Sequence, residues 1–257
     1  MKIGIIGQGF VGTAVREGLK SFFDIETFDI VCLPTPMDRY GKCHTGIVEG
    51  VLKEINETST RKKTLIVKST IPPGTTANWN EKFKNIDIVF NPEFLTEANA
   101  INDFKNQTRI IIGGPKNAAS RVRRIFVKAF PKVKIIKTDS TYAEMVKYVT
   151  NCFLAMKVSF ANEMYEICEY KNIDYDKVIE YAMHDDRLGY SHWSVPGPDG
   201  DFGYGGHCFP KDVKALMNVA MELDSDVNPI MLQATDKKNN EVRKNRDWEG
   251  MQGRAVI

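Results

Sequence analysis

The sequence predicts an α/β protein, in which a Rossmann-like, mostly parallel sheet is followed by an all-helical domain with one long spine helix. Short apolar runs alternate with amphipathic stretches in the first half of the chain, as expected for parallel strands covered on both faces. A glycine-rich turn, GQGFVG at 7–12, follows the first apolar run. From residue 139 the pattern becomes almost purely helical, with no glycine or proline between 140 and 188. These observations predict domains at 1–138 and 139–257.

The first half begins with a strand, KIGII at 2–6, and apolar residues at helical spacing follow the glycine turn. The run IETFD ends at Asp29, directly before a strand predicted at 30–33. A parallel crossover needs a dozen or more residues, usually with a helix. Either one of these two runs is irregular, or a β–α segment of this fold is absent. Later strands are predicted at 64–69, 86–90, 109–113 and 133–137, with helices at 45–58 and 115–130.

The second half is dominated by one predicted helix, residues 140–171, which is about 48 Å long at 1.5 Å per residue. Such a length is typical of a spine between domains or of a dimer surface. A further helix is predicted to start at Asp174. A loop rich in glycine and proline covers 189–206, and Pro210 stands at the first-turn position of the next helix.

The composition gives little support to several functional classes. A net charge of +2 provides no electrostatic basis for binding nucleic acid or a membrane surface. No apolar run is long enough to cross a bilayer, and the first residues lack the pattern of a signal peptide. Five cysteines without a CxxC pair predict thiols in a reducing, cytoplasmic compartment. The four histidines lack metal-ligand spacing, so no metal site is predicted.

The glycine turn has the context of a dinucleotide-binding site, because a strand precedes it and a helix follows. The glycines allow a tight turn and close approach of the backbone to a pyrophosphate at the helix N-terminus. An acidic residue about twenty positions on binds the adenosine ribose in such sites. Asp29 is the candidate, and an acid there favours NAD over NADP. A glycine-rich turn without function is the alternative interpretation.

The stretch GYGGHCFPKD, 203–212, places one cysteine behind two glycines. A buried structural cysteine needs no glycines beside it, whereas a reactive one does, because a substrate carbonyl must approach Cys208 closely. The helix predicted at Pro210 would favour a thiolate at its N-terminus. Lys147 and Asn151 stand four residues apart and project from one face of the long helix. An amine and an amide placed in this way can stabilise an oxyanion.

Seven motifs occur in order along nearly the whole chain. They are GQGFVG (7–12), LPTP (33–36), KSTIPPGTT (68–76), NPEFLTEANAI (91–101), EMVKYVTNCFLAMKVSFANE (144–163), DDRLG (185–189) and GYGGHCFPKD (203–212). Together they resemble the UDP-glucose/GDP-mannose dehydrogenase family. The resemblance implies oxidation of a nucleotide sugar at C6 by two NAD molecules, of the UDP-glucose to UDP-glucuronate type. It further implies that Cys208 forms a thiohemiacetal with the aldehyde, then a thioester that water hydrolyses.

The resemblance also implies roles for individual residues. Asp212 would hold the reacting oxygen or water, Glu93 would act as general acid/base, and Thr70 would lie near the catalytic water. Arg187 would reach the substrate of a neighbouring subunit, in a homodimer formed through the long helix. The expected catalytic residues are Cys208, Lys147, Asn151, Asp212, Glu93 and Thr70. The expected cofactor-binding residues are Gly7, Gly9, Phe10, Val11, Gly12, Asp29, Pro34, Thr35, Thr70, Glu97 and Lys211. The expected substrate-binding residues are Glu93, Phe94, Leu95, Glu97, Lys147, Asn151, Arg187, Tyr204, Gly205 and Cys208.

The resemblance stops at GRAVI (253–257), where the family's second nucleotide-fold domain would begin, so we expect that domain to be lacking. Two other functions therefore stay open. One is a non-catalytic nucleotide-binding remnant of the family. The other is a single oxidation of the 3-hydroxyacid dehydrogenase type, which needs a lysine base and no cysteine.

Overall fold

The computed structural model of the chain describes residues 2–223 and 227–257, apart from the side chains of residue 2 and residues 25–29. The chain divides into two compact units. The sheet unit comprises Met1–Thr35 and His44–Lys147, and the helical unit comprises Pro36–Cys43 and Tyr148–Ile257. No helix within the described ranges is both long and apolar enough to cross a membrane.

The sheet unit contains a six-stranded sheet whose strand order follows the chain from β1 to β6. All neighbouring strands are parallel except β4 and β5, which pair in antiparallel orientation. The predicted α/β fold class is thereby confirmed. The strands are β1 Lys2–Ile6, β2 Asp24–Val31, β3 Lys63–Val67, β4 Ile86–Phe90, β5 Arg109–Gly113 and β6 Lys134–Thr138. The helices of this unit are α1 Phe10–Leu19, α2 Gly46–Thr58, α3 Thr75–Lys82, α4 Ala100–Lys105 and α5 Lys116–Ala129.

The two apolar runs predicted around Asp29 form a single strand. β2 runs without a break from Asp24 to Val31, and its register against β1 shifts between Ile3 and Ile5. The prediction of a separate strand at 30–33 is therefore wrong. Because only one crossover joins β1 to this combined strand, a β–α segment of the usual fold is absent from this part of the chain.

The crossovers on either side of β2 lie on opposite faces of the sheet. In α1, which joins β1 to β2, Val15 packs in one core with Ile3 and Ile66. In α2, which joins β2 to β3, Leu52 packs in a second core with Leu65. Both crossovers move one strand in the same direction across the sheet, from β1 to β2 and from β2 to β3. Because their helices lie on opposite faces, the two crossovers have opposite handedness. One crossover is therefore left-handed, which is the rare hand for a parallel β–α–β unit.

The short helices α3 and α4 were not predicted. The sequence of α3, TTANWNEK, buries only Thr76 and Trp79 and follows a left-handed Gly74. α4 has six residues, too few to establish a helical apolar pattern.

The long helix α6, Ser140–Lys171, has the bounds that the sequence predicts. It begins in the sheet unit and continues into the helical unit at Tyr148. Asp174 caps the next helix by accepting a hydrogen bond from the N–H of Lys177 at 3.2 Å. The remaining helices are α7 Tyr175–Ala182, α8 Phe209–Glu222 and α9 Ile230–Val242, with 3₁₀ turns at Asp186–Leu188 and Asp247–Gly250.

The last residues of the helical unit hold the short segment Pro36–Cys43. The N–H of Met37 donates to the carbonyl of Ala255 at 2.8 Å, and the N–H of Ile257 donates to the carbonyl of Met37 at 3.0 Å. The Met37 side chain is buried with Trp248 and Ala255. This segment begins at Pro36, the last residue of the LPTP motif, so residues 255–257 fix the loop that follows that motif.

Candidate active site

The three glycines of the turn after β1 have different surroundings. A Cβ on Gly7 would lie 2.2 Å from the carbonyl oxygen of Cys32, and a Cβ on Gly12 would lie 2.0 Å from that of Gly7. Around the Cβ position of Gly9, no other described atom lies within 4 Å. Gly9 also precedes α1, which begins without a side-chain cap. The turn therefore packs tightly at both ends and leaves its centre open, which fits the pyrophosphate of a dinucleotide.

The loops after β2 and β3 are joined at the carboxyl end of the sheet, where folds of this class bind ligands. Thr35 Oγ1 donates to the carbonyl of Thr70 at 2.6 Å, and the N–H of Leu33 donates to Ser69 Oγ at 3.1 Å. Both threonines are buried, whereas Pro34 is exposed. Three of the expected cofactor-binding residues thus share one edge of the sheet.

Asp29, the expected ribose-binding acid, lies inside β2. Its side chain is outside the described residues. Phe10 and Val11 open α1 and are half-buried.

A buried polar cluster follows β3 and β4. Lys147 Nζ donates to Glu93 Oε1 and to the carbonyl of Glu93, each at 2.7 Å, and Glu93 Oε2 accepts from the N–H of Leu95 at 2.7 Å. Lys68 Nζ donates to Asn91 Oδ1 at 2.7 Å and to the carbonyl of Asn91 at 3.2 Å. The buried amine of Lys68 therefore connects the KSTIPPGTT and NPEFLTEANAI motifs, and the buried amine of Lys147 connects NPEFLTEANAI to α6.

The charge states in this cluster follow from burial and from the neighbouring amines. Burial alone would raise the pKa of the Glu93 carboxyl, but the Lys147 ammonium, the hydrogen bonds and Lys68 together hold it below its usual range. Burial lowers the pKa of Lys68 to about 8, with Cys32 and Glu93 opposing that shift. Glu93 is thus ionised at neutral pH, in the form of a general base or electrostatic partner rather than a general acid.

A cavity of about 300 Å³ opens beside this cluster in the sheet unit. It is lined by Lys68, Glu93, Phe94 and Leu95, among others. Phe94 also carries the guanidinium of Arg109 over its ring at 4.2 Å. Three of the expected substrate-binding residues therefore face one cavity, whereas Glu97 is exposed.

Glu144, which opens one of the quoted motifs, has a structural task that the sequence reasoning missed. Its two carboxylate oxygens accept from the N–H groups of Gly74 and Thr76, at 2.6 and 2.8 Å. These donors belong to the first turn of α3, so the carboxylate caps that helix and holds the KSTIPPGTT loop. Burial raises the pKa of Glu144 to about 7, although these hydrogen bonds oppose the shift.

In the helical unit, Cys208 is the N-cap residue of α8 and is half-buried. Pro210 occupies the first turn of the helix, as predicted. Cys208 therefore stands at the N-terminal end of a 14-residue helix, where the peptide dipoles favour negative charge.

A second buried network lies in the first turn of α8. Asn151 Nδ2 donates to Asp212 Oδ2 at 2.6 Å, and Lys211 Nζ lies 2.5 Å from Asp212 Oδ1. Cys152 Sγ donates to the carbonyl of Asp212 at 3.6 Å. Burial would lower the pKa of Lys211, but Asp212, Cys43 and Cys208 raise it above its usual value. The Lys211 ammonium is therefore permanent, and it sits among the Asp212 carboxylate and two thiols.

The glycines before Cys208 do not all leave room for a ligand, which corrects our expectation from the sequence. A Cβ on Gly203 would lie 2.3 Å from Asn239 Oδ1, and one on Gly205 would lie 2.2 Å from Arg243 Nη2. Only at Gly206 is the Cβ position clear of other described atoms within 4 Å. The first two glycines admit the chain's own side chains, and Gly206 alone faces open space.

Those side chains form a brace that the sequence reasoning also missed. The buried Arg243 guanidinium contacts Asp199 at 2.7 Å and Asp247 at 3.5 Å. Both carboxylate oxygens of Asp247 accept from the N–H of Gly206 at 3.1 Å. Because this backbone group lies two residues before Cys208, the brace fixes the loop that carries the thiol.

Two other expected substrate-binding residues have unlike environments. Tyr204 is buried. Its N–H donates to Asn239 Oδ1 at 2.6 Å, and its carbonyl accepts from Asn239 Nδ2 at 3.0 Å. Arg187 is exposed, and its guanidinium bonds to Asp185 within the DDRLG motif. No cluster of three or more potential metal-ligating side chains was found in the described part of the chain.

Two domain models of one family match the chain. The NAD binding domain of the UDP-glucose/GDP-mannose dehydrogenase family matches residues 19–130, and the central domain of that family matches residues 141–241. Among curated proteins, the UDP-glucose 6-dehydrogenase of Campylobacter jejuni is 34% identical over 228 residues, covering 88% of this chain and 55% of that protein. UDP-glucose 6-dehydrogenase TuaD of Bacillus subtilis is 34% identical over 197 residues, covering 74% of this chain and 41% of that protein. The chain thus spans about half the length of the curated relatives it matches.

Solved structures share the fold. A UDP-glucose dehydrogenase from Pyrobaculum islandicum superposes with a TM-score of 0.82 at 24% identity, covering 93% of this chain and 68% of that one. A 3-hydroxyisobutyrate dehydrogenase from Mycobacterium tuberculosis superposes with a TM-score of 0.71 at 17% identity, covering 93% of both chains.

Proposed function

Because the chain belongs to the UDP-glucose/GDP-mannose dehydrogenase family, we propose that it oxidises a nucleotide sugar at C6 to the uronate, of the UDP-glucose to UDP-glucuronate type. The resemblance drawn from the seven motifs is confirmed by the two domain matches. The cofactor is NAD, because residues 19–130 match the family's NAD binding domain. When bound, NAD accepts the hydride in each of the two oxidations.

The single observation that carries the proposal is the placement of Cys208 at the N-cap of α8, half-buried and next to the open space at Gly206. In the first stage the C6 alcohol loses a hydride and a proton to give the aldehyde. The thiolate of Cys208 then adds to the aldehyde carbon, and the resulting oxyanion takes up a proton to give a thiohemiacetal. Loss of a second hydride and that proton gives a thioester. Water attacks the thioester carbon, releasing the carboxylate and regenerating the thiol.

The surrounding residues have separate roles in this proposal. Asn151 and Asp212 form a preorganised amide–carboxylate pair, in which the amide stabilises the oxyanion and the carboxylate holds the reacting oxygen or water. Lys147 is the second oxyanion donor, and the ionised Glu93 orients its amine and serves as base for the attacking water. Thr70 helps to place that water.

The substrate and the assembly are part of the same proposal. Phe94 and Leu95 line the cavity in the sheet unit and are assigned to the sugar nucleotide. On α6, Val149, Phe153 and Phe160 are each at least half exposed, at 57, 56 and 50%. We assign this apolar face to a homodimer, with Arg187 reaching the partner's substrate. A monomer in light scattering at micromolar concentration would argue against it.

The test counts NADH per molecule of substrate consumed, with NAD and UDP-glucose, and follows the protein by mass spectrometry of the intact chain and of its peptides. Two NADH per uronate, and a mass increase on the peptide that contains Cys208, are expected. Cys208→Ser cannot form a thioester, so it should yield at most one NADH and no trapped acyl-enzyme. Cys168→Ala is the matched control, because that thiol is buried in the separate core around Tyr175.

Two outcomes favour the other functions. One NADH per substrate in the wild-type chain, insensitive to Cys208→Ser, indicates a single-step dehydrogenase. No turnover across a panel of sugar nucleotides, in protein that still binds NADH, indicates a nucleotide-binding remnant.

A further inference from the structure

The sheet unit holds β1 at the edge of its sheet. β1 pairs with β2 on one side, and the strand order then proceeds to β6 without a reversal. In a complete dinucleotide-binding sheet, strand 1 is internal, and the cofactor lies across the point where the strand order reverses. In the part of the chain that the structure describes, no strand or helix continues the sheet beyond β1. The half of the fold that would lie there is the half that receives the adenosine.

The position of Asp29 in the sheet supports the same conclusion. A ribose-binding acid stands at the carboxyl end of the second strand, on the far side of strand 1. Here the strand containing Asp29 lies between β1 and β3, with Ile30 facing Ile5 on one side and Ile66 on the other. Ile30 and Val31 continue the strand beyond Asp29. Asp29 is therefore within an inner strand rather than at an outer carboxyl end.

The parts of the site that hold the remainder of the cofactor are retained. The turn at Gly9 is open to the pyrophosphate, and the joined loops of Thr35 and Thr70 stand at the carboxyl ends of β2 and β3. The match to the NAD binding domain begins at residue 19, after the glycine turn, and runs through these loops.

We propose that this chain holds NAD by its pyrophosphate and nicotinamide half, leaves the adenosine half without a protein-built pocket, and therefore does not discriminate NAD from NADP. The inference rests on the NAD-dependent reaction proposed above. It differs from the sequence expectation, in which Asp29 selects NAD.

The size of the effect can be stated as a ratio of dissociation constants. A hydrogen bond to a charged group contributes enough to change affinity by roughly tenfold to a hundredfold. A chain that uses such an acid at the ribose should prefer NADH to NADPH by that factor. In this chain we expect the two dissociation constants to agree within about threefold, because the strand that contains Asp29 lies between β1 and β3 rather than beyond β1.

The test titrates the full chain with NADH, NADPH and reduced nicotinamide mononucleotide, following nicotinamide fluorescence. The mononucleotide keeps the nicotinamide and one of the two phosphates. It should bind within about tenfold of NADH, since the adenosine contributes little. Asp29→Asn should change the NADH-to-NADPH ratio no more than Asp24→Asn, which alters the first residue of the same strand. A preference for NADH of tenfold or more that Asp29→Asn abolishes would overturn the inference, as would failure to bind any of the three.

Gly9→Val provides the control for the location of the site. Gly9 has φ −67° and open space around its Cβ position, so the substitution is compatible with the fold while filling the room at the turn. It should weaken NADH and the mononucleotide alike. Unchanged binding in Gly9→Val places the cofactor elsewhere and refutes the inference.

These binding measurements separate the inference from the proposed reaction. Equal binding of NADH and NADPH without turnover or a Cys208 adduct rejects the reaction and retains the inference. Full turnover with a strong preference for NAD retains the proposed reaction and rejects the inference about the adenosine half.

Discussion

Replacing Gly205 or Gly206 by alanine adds the same methyl group at neighbouring positions, and the structure predicts very different results. At Gly205 the new Cβ would lie 2.2 Å from Arg243 Nη2 and 2.5 Å from Asp247 Oδ1. At Gly206 it would meet no other described atom within 4 Å, although φ is +70°. The first substitution must displace a braced side chain, whereas the second imposes only a left-handed conformation on alanine.

The magnitudes follow from these contacts. The Arg243 side chain is 2% exposed and lies 2.7 Å from Asp199. Losing one charge-assisted hydrogen bond costs about 1.5–3 kcal/mol, and overpacking adds about 1–3 kcal/mol. We therefore expect Gly205→Ala to lose about 3–5 kcal/mol of unfolding free energy. Gly206→Ala should lose about 1–2 kcal/mol, the cost of a left-handed residue.

The assay is urea unfolding followed by tryptophan fluorescence, together with the rate at which iodoacetamide alkylates Cys208. Gly206→Ala should lower the unfolding midpoint less than Gly205→Ala does. It should nevertheless slow both alkylation and turnover, because its methyl group enters the open space beside the thiol. In an Arg243→Met background, Gly205→Ala should cost less unfolding free energy by more than about 1 kcal/mol, since the overlap with the guanidinium is removed. If Gly206→Ala proves as destabilising as Gly205→Ala, or if the Arg243→Met background gives no relief, the brace is not what requires glycine.

Two further substitutions test the buried charges. The folded pKa of Glu144 is about 7 against an ordinary 4.5, so its stabilising contribution is present below pH 4.5 and is lost as pH rises through 7. This amounts to up to about 3 kcal/mol, and Glu144→Gln should flatten the urea midpoint between those pH values; an unchanged slope contradicts the assignment. Lys147→Met leaves the buried Glu93 carboxylate without its amine and should cost about 3–5 kcal/mol. That loss should be smaller at pH 5 than at pH 8, because the carboxyl group can then take up a proton, and equal losses at both pH values would count against a buried ion pair.

Much of the architecture was readable because it depends on local periodicity. The bounds of α6, the strands at 86–90 and 109–113 and the proline in the first turn of α8 all follow from apolar spacing and capping chemistry. The sequence also showed that the runs on either side of Asp29 cannot be two neighbouring parallel strands, because no residues remain between them for a crossover. The sequence did not reveal that the two runs merge into one strand, since that outcome depends on pairing with β1.

The candidate site divides in the same way. Lys68, Asn91 and Glu144 stand inside the family motifs, so the sequence marks them as important. It does not show their partners, because those lie on other elements. Arg243 and Asp247 lie in a polar stretch after the quoted motifs, and nothing local marks them as a brace for Gly205 and Gly206.

By itself, the sequence determined the family, the order of the elements and the residue types at the reactive thiol, because motif spacing and side-chain periodicity are properties of the chain. Only the tertiary structure decided which glycines face open space, which carboxylates are occupied by amines and that β1 lies at a sheet edge. Each of these depends on contacts between residues distant in sequence, and the free energy of such contacts is set by burial and geometry rather than by local pattern.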